Sequence, residues 1–311
     1  MPAASALDRE PLRILVGPTA SGKSALALDL CEAAGAELVS LDSMQVYRGL
    51  DIGTAKPSAE ERARVPHHML DLVGPEEVYD IRRFLDGLEP VLADLYARGK
   101  RPLFVGGTGF YLAALLRGLF EGPAPDLELR AALEARAAEI GPDVLHTELA
   151  AVDPELAAKL HPADVRRVVR GLEVWQQTGR RLSDWQQEWQ AQPGPRETNA
   201  RIVGLAFPVE EQDRRIRLRT AQMLDGGWRE EALAVRGGPG FGPGAAQALG
   251  YDTVLDWADG ALTRDEAIDL IALRTRQFAR RQRTWYRKFA VHWIPGEDPG
   301  RLAAARSHFG W

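Results

Sequence analysis

The sequence contains a single cysteine, Cys31, in 311 residues, so no internal disulfide can form and no cysteine-rich zinc site can be built. It also lacks any uninterrupted apolar run of membrane-spanning length, and residues 1–10 have no apolar signal core. A cytoplasmic protein without a membrane partner is expected. Positive charge is not in excess: the net charge is −5, which, spread evenly, would argue against a polyanionic partner. There is no internal repeat and no Asn-Lys-x-Asp motif for reading guanine, so a GTPase is disfavoured. The one low-complexity spot, GGPGFGPG at 237–244, reads as a flexible loop. What is present, 45% hydrophobic and 27% charged residues, is ordinary for a globular chain with roughly two domains' worth of sequence.

The most informative run is Gly17-Pro18-Thr19-Ala20-Ser21-Gly22-Lys23-Ser24, directly after the apolar residues 12–16. It fits the phosphate-loop pattern G-x-x-x-x-G-K-[ST] at every fixed position, in the required order of strand, loop and helix start. Backbone amides in such a loop surround a diphosphate, while Lys23 neutralises it and Ser24 ligates Mg²⁺. The motif defines a polyphosphate pocket and leaves its occupant open.

Strands are expected at residues 13–16, 37–41, 102–105, 201–207 and 291–294, with helix-period segments between them. This alternation implies an α/β fold, a P-loop NTPase-like parallel sheet flanked by helices, with the ligand at the carboxyl ends of the strands. Residues 121–199 change to Ala-, Leu-, Glu- and Arg-rich helices punctuated by prolines. They are read as a mainly helical insertion into a core formed by residues 1–120 and 200–311.

Charge is clustered despite the acidic total. RTRQFARRQRTWYRK, residues 274–288, holds seven basic residues and no acid. Two further basic helices are expected, at 164–175 with Arg166, Arg167 and Arg170, and at 213–220 with Arg214, Arg215, Arg217 and Arg219. Such clusters are the electrostatic footprint of a phosphate backbone. Trp285 and Tyr286, at helical spacing, are read as core packing rather than base stacking.

An apolar strand ends in Asp42 within Leu41-Asp42-Ser43-Met44-Gln45. A carboxylate there could bind Mg²⁺ or act as a base toward a second substrate, and spacing alone does not separate these roles. His67-His68 reads as a hydrogen-bonded structural pair, because no Cys or third His lies at ligand spacing.

Taken together, GPTASGKS, LDSMQVYRGLDIGTAKP, PHHMLDL, PLFVGGTGFYLAALLR, HPADVRRVVRGLEVW and RTRQFARRQRTWYRK resemble the tRNA dimethylallyltransferases, or tRNA isopentenyltransferases, almost throughout the chain. The lack of a zinc finger after the last block matches the bacterial type. Ala163, where the family usually has asparagine, and Asp252, where a basic or amide residue is common, depart from the pattern.

The resemblance implies transfer of a dimethylallyl group from dimethylallyl diphosphate to N6 of adenosine 37, in tRNAs reading codons that begin with U. It implies Asp42 as general base, Thr108 of the GGT turn beside the reacting centre, and Arg167 and Arg170 as catalytic arginines. For tRNA it implies contacts from Asp42, Ser43, Met44, Gln45 and Thr108, from Arg166, Arg167 and Arg170, from Gly250 and Tyr251, and from Arg274, Arg276, Gln277, Arg280, Arg281, Gln282 and Arg283. Mg²⁺ is the expected cofactor, tRNA and dimethylallyl diphosphate the expected partners, and a monomer the expected state. A small-molecule or nucleotide kinase using ATP, and a non-catalytic RNA-binding module, are the competing readings of the same residues.

Overall fold

The computed structural model describes residues 5–120, 122–191 and 194–311. Six strands run β1 (Arg13–Val16), β2 (Glu37–Ser40), β3 (His67–His68), β4 (Pro102–Gly106), β5 (Arg201–Ala206) and β6 (Val291–Pro295). They form one parallel sheet in the order β3-β2-β4-β1-β5-β6, with Ile14 registered against Phe104 on one side and Ile202 on the other. The inner strands β1, β2, β4 and β5 are mostly buried and largely apolar, as a parallel sheet between helices requires, whereas the edge strands β3 and β6 are partly exposed.

The first half of the core contributes the helices α1 (Lys23–Ala34), α2 (Ala59–Arg64), α3 (Ile81–Ala97) and α4 (Gly109–Arg117). Then come α5 (Leu127–Ile140), α6 (Pro142–Val152), α7 (Pro154–Ala157), α8 (Val165–Thr178) and α9 (Leu182–Ala191). After β5 follow α10 (Val209–Asp225), α11 (Trp228–Gly237), α12 (Tyr251–Ala258) and α13 (Arg264–Tyr286), and α14 (Arg301–Phe309) closes the chain. No helix among the described residues is long and apolar enough to cross a membrane.

The chain divides into two compact units, Arg117–Pro195 and the remainder. In the sheet unit, Leu15, Leu26, Leu30, Leu103, Val203 and Phe309 form one core. Tyr47, Trp228, Tyr251, Val254 and Ile271 form another, which joins the segment after β2 to the C-terminal helices. Each such large side chain contributes about 1.5–3 kcal/mol on burial. The helical unit has its own core of Leu133, Leu149, Leu172 and Leu182. Its buried Asp153 accepts from the amides of Leu156 (3.0 Å) and Ser183 (2.9 Å), fixing the turns that start α7 and α9.

Two local expectations change. The two histidines form β3, a two-residue edge strand too short to show a period; His68 Nε2 lies 2.7 Å from the buried carboxylate of Glu37 and His67 Nδ1 2.7 Å from the Val65 carbonyl. Residues 237–244 are packed rather than slack. Gly242 N–H donates to Pro75 O at 2.9 Å, and a Cβ on Gly244 would lie 2.0 Å from the Tyr47 hydroxyl. Gly242 serves the close approach of two backbones and Gly244 that of the Tyr47 ring, whereas a Cβ on Gly237 or Gly240 would meet nothing within 4 Å.

Candidate active site

Three loops leave the carboxyl ends of three adjacent strands, β2, β4 and β1, and they carry Asp42, Thr108 and residues 17–22. Sheet order therefore assembles residues far apart in the chain.

In the phosphate loop, Ala20 (φ 66°) and Gly22 (φ 74°) both take the left-handed conformation, the bend that makes a concave nest of amides. The helix that follows, α1, has no side-chain cap, and the amides of residues 22–24 have no partner among the described residues. They are the open N-terminal donors that favour an anion. Ser21 is 1% exposed, and its hydroxyl is unpartnered as well. Lys23 keeps part of its surface in contact with solvent, yet the protein packed around its ammonium lowers its pKa to about 8. Proximity to Arg219 lowers it further, and Asp42 opposes both.

Arg219, on α10, was noticed in the sequence only as one of four arginines on a basic helix. Burial lowers its pKa, and Asp42 pulls the other way. Neither Lys23 nor Arg219 has an ion-pair partner within 4 Å among the described residues. Two shielded cations and one carboxylate thus sense one another in the same pocket. The available signal was spacing: Gln212, Arg215 and Arg219 fall at i, i+3 and i+7 on one helix face. Gln212 Nε2 donates to Thr19 O (2.9 Å) and Arg215 to Ala20 O (3.5 Å) on the phosphate loop.

Asp42 turns its own chain. Its Oδ1 accepts from the amides of Met44 (2.8 Å) and Gln45 (3.4 Å), whereas Oδ2 has no partner among the described residues. One oxygen orients the carboxylate and the other is available to take a proton. Thr108 Oγ1 accepts from Ser43 N–H at 3.4 Å, which links the GGT turn to the Asp42 segment and leaves the hydroxyl proton free to donate. Gln45 is spent within the protein: its Oε1 accepts from Ser40 and its Nε2 donates to the carbonyls of Thr54 and Ala55. Behind it, Glu231 accepts from the amides of Asp51 (2.8 Å), Ile52 (2.7 Å) and Gly53 (3.1 Å) and from the Tyr251 hydroxyl (2.6 Å). Sequence reading had passed over Glu231.

The basic helix α13 has two faces. Arg274, Gln277 and Arg281 line a shallow cavity with Ala246, Gln247 and Leu249. Arg274 is partly neutralised there by Asp252, 2.6 Å away. Arg276 lies 3.9 Å from Asp213, Arg283 donates to Gln212, and Arg280 is exposed.

Gln282 and Tyr251 do not belong to this surface. Gln282 is 3% exposed and bonded on the opposite face, and Tyr251 is 2% exposed, packed on Trp228 and Phe241. Gly250, by contrast, lines that cavity beside Leu249 although little of it is exposed, and takes φ 97° to start α12. Helical periodicity turns a contiguous RNA-contact motif into two sides, only one of which reaches solvent.

In the helical unit, Arg166 and Arg167 are exposed on α8, with Arg167 3.5 Å from Asp164. Arg170 donates to the fully buried Glu173 (2.8 Å) and to Pro123 O (2.8 Å). Arg130 reaches the same carboxylate, and these partners hold Glu173 below the usual carboxylate range against its burial. Arg170 is therefore a structural ion-pair member with donors to spare.

The donor set fits Mg²⁺. Ser24 is exposed on the first turn of α1 without a hydrogen bond to any described residue, and no cluster of three His, Cys, Asp or Glu able to hold a metal occurs among the described residues. Mg²⁺ binds through one or two protein oxygens plus substrate phosphate, so Ser24 beside the open amides suffices.

A parallel α/β sheet with this loop, and a carboxylate at the next strand ends, defines a phosphate-loop protein of the group-transfer class. Its residues 45–289 match the family model for IPP transferase, and residues 10–71 match that for isopentenyl transferase. The chain belongs to the IPP transferase family. It is 46% identical to a tRNA dimethylallyltransferase of Anaeromyxobacter dehalogenans, over 94% of this chain and 97% of that one. With the Geobacter sulfurreducens tRNA dimethylallyltransferase it shares 44% identity over 92% of each. Among solved structures, the tRNA isopentenylpyrophosphate transferase of Bacillus halodurans superposes with a TM-score of 0.70 at 35% identity, covering 97% of this chain and 96% of that one. A eukaryotic dimethylallyltransferase acting on tRNA gives a TM-score of 0.76 at 28% identity, covering 97% and 77%.

Proposed function

We propose that this protein transfers the dimethylallyl group of dimethylallyl diphosphate to N6 of adenosine 37 in tRNAs reading UNN codons, giving N6-(dimethylallyl)adenosine and diphosphate. The observation that carries the reading is a carboxylate with an unoccupied oxygen, Asp42 after β2, close to the unpaired cations Lys23, after β1, and Arg219, on α10, with only β4 between the two strands. A kinase would use both the cations and a carboxylate; what favours prenyl transfer over phosphoryl transfer is the match of residues 45–289 to the IPP transferase model.

The adenine amine is weakly nucleophilic because its lone pair is delocalised into the ring. In the proposed step the C1–O bond of the donor breaks and the N6–C1 bond forms. The amine proton goes to Asp42 Oδ2, and the electron pair of the broken bond leaves with diphosphate. Positioned proton transfer of this kind contributes about 10²–10⁴-fold. The open amides of residues 22–24, Lys23 and Arg219 are preorganised where negative charge develops. Mg²⁺ bound at Ser24 would add charge neutralisation on the leaving group. Thr108 holds the Asp42 segment in place and has a proton to donate.

The target base must leave its stack to reach this pocket, and single-stranded loops are where that is cheap. The cavity formed by Arg274, Gln277 and Arg281 would hold the anticodon stem-loop, with Arg276, Arg280 and Arg283 adding charge, so affinity should fall steeply with salt. Arg166, Arg167 and Arg170, the basic residues of α8, are part of the same reading as further candidates for contact with substrate phosphates. A cytoplasmic monomer is part of this reading.

The test offers dimethylallyl diphosphate and ATP side by side to the full chain with a tRNA carrying A36-A37-A38 and Mg²⁺. Prenylated adenosine by mass spectrometry, lost in Asp42→Asn while diphosphate binding stays nearly intact, is the expected result. ATP consumption without tRNA and without prenylated product would replace the reading by a kinase.

A further inference from the structure

The inward face of α13 carries polar side chains that neither the diphosphate nor the RNA needs to touch. Thr275, Ala279, Gln282 and Tyr286 recur at spacings of four, three and four and are all buried. A buried amide and a buried phenol need partners, and both find them in the two catalytic loops. Gln282 Oε1 accepts the Thr19 N–H of the phosphate loop at 3.0 Å, and its Nε2 donates to Gly107 O of the GGT turn at 2.8 Å. One helical turn on, the Tyr286 hydroxyl lies 3.2 Å from Gly17 O and 3.3 Å from Gly107 O, sharing a single proton between the same two loops.

The fit is close. A Cβ on Gly107 would stand 2.2 Å from Gln282 Nε2, and one on Gly109 2.4 Å from the Trp285 ring. Gly107 of the GGT turn and Gly109 after it are thus explained by the approach of α13, whereas Gly106 is explained by the Leu41 carbonyl. Only a side chain with one acceptor and one donor in a fixed plane can make both Gln282 bonds; Glu could only accept and Lys only donate.

We infer that Gln282 and Tyr286 are positioning residues that bolt the phosphate loop to the Thr108 turn, setting the distance between the leaving group's cradle and the segment that holds the general base. The inference rests on the proposed transfer reaction. The helix whose outer face offers Arg274, Gln277 and Arg281 to RNA therefore fixes, on its inner face, the geometry in which the donor is bound. Misplacing reacting groups by a fraction of an ångström is enough to slow a reaction whose catalysis is mostly positioning.

The test compares full-length wild type, Gln282→Met, Tyr286→Phe and Arg281→Ala. Gln282→Met keeps the volume and removes both bonds. It should lower kcat/KM for dimethylallyl diphosphate about tenfold or more and weaken calorimetric binding of inorganic diphosphate with Mg²⁺, since two buried groups lose their partners. Its affinity for tRNA should change less than twofold. Tyr286→Phe should move the same quantities in the same direction by a smaller factor, and Arg281→Ala should show the opposite split, weaker tRNA binding with donor binding retained.

A Gln282→Met protein that loses tRNA affinity while binding diphosphate normally would overturn the inference and return Gln282 to the RNA surface. If Gln282→Met fails to fold, unchanged diphosphate binding in Tyr286→Phe overturns it equally. A wild type that makes no prenylated RNA, while Gln282→Met still weakens diphosphate binding, would sink the transfer reaction and leave the bolt standing.

Discussion

The ion-paired cations of the helical unit and two cations at the strand ends of the sheet unit are treated in opposite ways, although other cations of the sheet unit, Lys56 among them, are paired as well. In the helical unit, Arg130, Arg136, Lys159, Arg167, Arg170 and Arg180 each lie within 4 Å of a carboxylate. In the sheet unit, Lys23 and Arg219 are shielded from water without a carboxylate at that distance among the described residues, and burial depresses both pKa values. A shielded, uncompensated cation costs stability unless an anion arrives. The contrast separates charges that hold a fold from charges held ready for a ligand.

The largest expected effect tests the ready side of that contrast. Lys23→Met should lower kcat/KM for the donor by about 10²–10³-fold, the scale of losing one preorganised charge at the leaving group, while leaving thermal stability unchanged or raised. A drop in melting temperature instead would mark Lys23 as structural. The pH dependence sharpens the point: folding depresses this ammonium to about 8, so it is charged below that pH and neutral above. Inorganic diphosphate binding should weaken as pH rises through about 8 more steeply in wild type than in Lys23→Arg, whose guanidinium stays charged. The linked stability term has the matching sign. The unfolded chain holds this proton up to its ordinary pKa of 10.5, so this residue's contribution favours folding above 10.5 and is lost as pH falls through 8.

Next in size, Arg219→Met should cost about tenfold to a hundredfold in donor kcat/KM, the worth of one charged hydrogen bond, again without loss of stability. On the opposite side, Arg170→Ala should destabilise the protein by about 2–3 kcal/mol, because it leaves Glu173 buried with one arginine instead of two; chemical denaturation measures this. If stability holds and prenyl transfer alone fails, Arg170 is catalytic and its pairing incidental. Smallest is Arg136→Ala, which breaks a half-exposed pair with Glu148 and should change stability by less than about 1 kcal/mol.

The strand, loop and helix start around residues 17–24 were legible in the sequence because the glycines and Lys23 at the start of α1 are written locally, but the left-handed turn at Ala20 (φ 66°) was not, since alanine carries no signal for it. Five of the six strands were legible locally too, as apolar runs bounded by breakers. The assignment of Gln45, Gln282 and Tyr251 to RNA contact was where local reading misled. Each sits in a motif that does carry exposed basic or polar neighbours, but its own amide or hydroxyl is consumed inside the protein. Arg219 was read only as one arginine of a basic helix and Glu231 was passed over, because nothing beside them in the chain distinguishes them from surface charges; what sets them apart is the nearby charge of Asp42 for Arg219 and the amides of 51–53 for Glu231.

The sequence by itself determined the elements, the phosphate-binding loop and the family, since periodicity, turn chemistry and an ordered set of motifs are properties of neighbours along the chain. Tertiary structure alone decided which side chains are free to act. Sheet order brings three loops to one edge, and the rotation of 100° per residue along a helix sends adjacent residues of α13 to solvent or to the core. Burial then makes every polar group find a partner, and that competition for partners is a property of three dimensions.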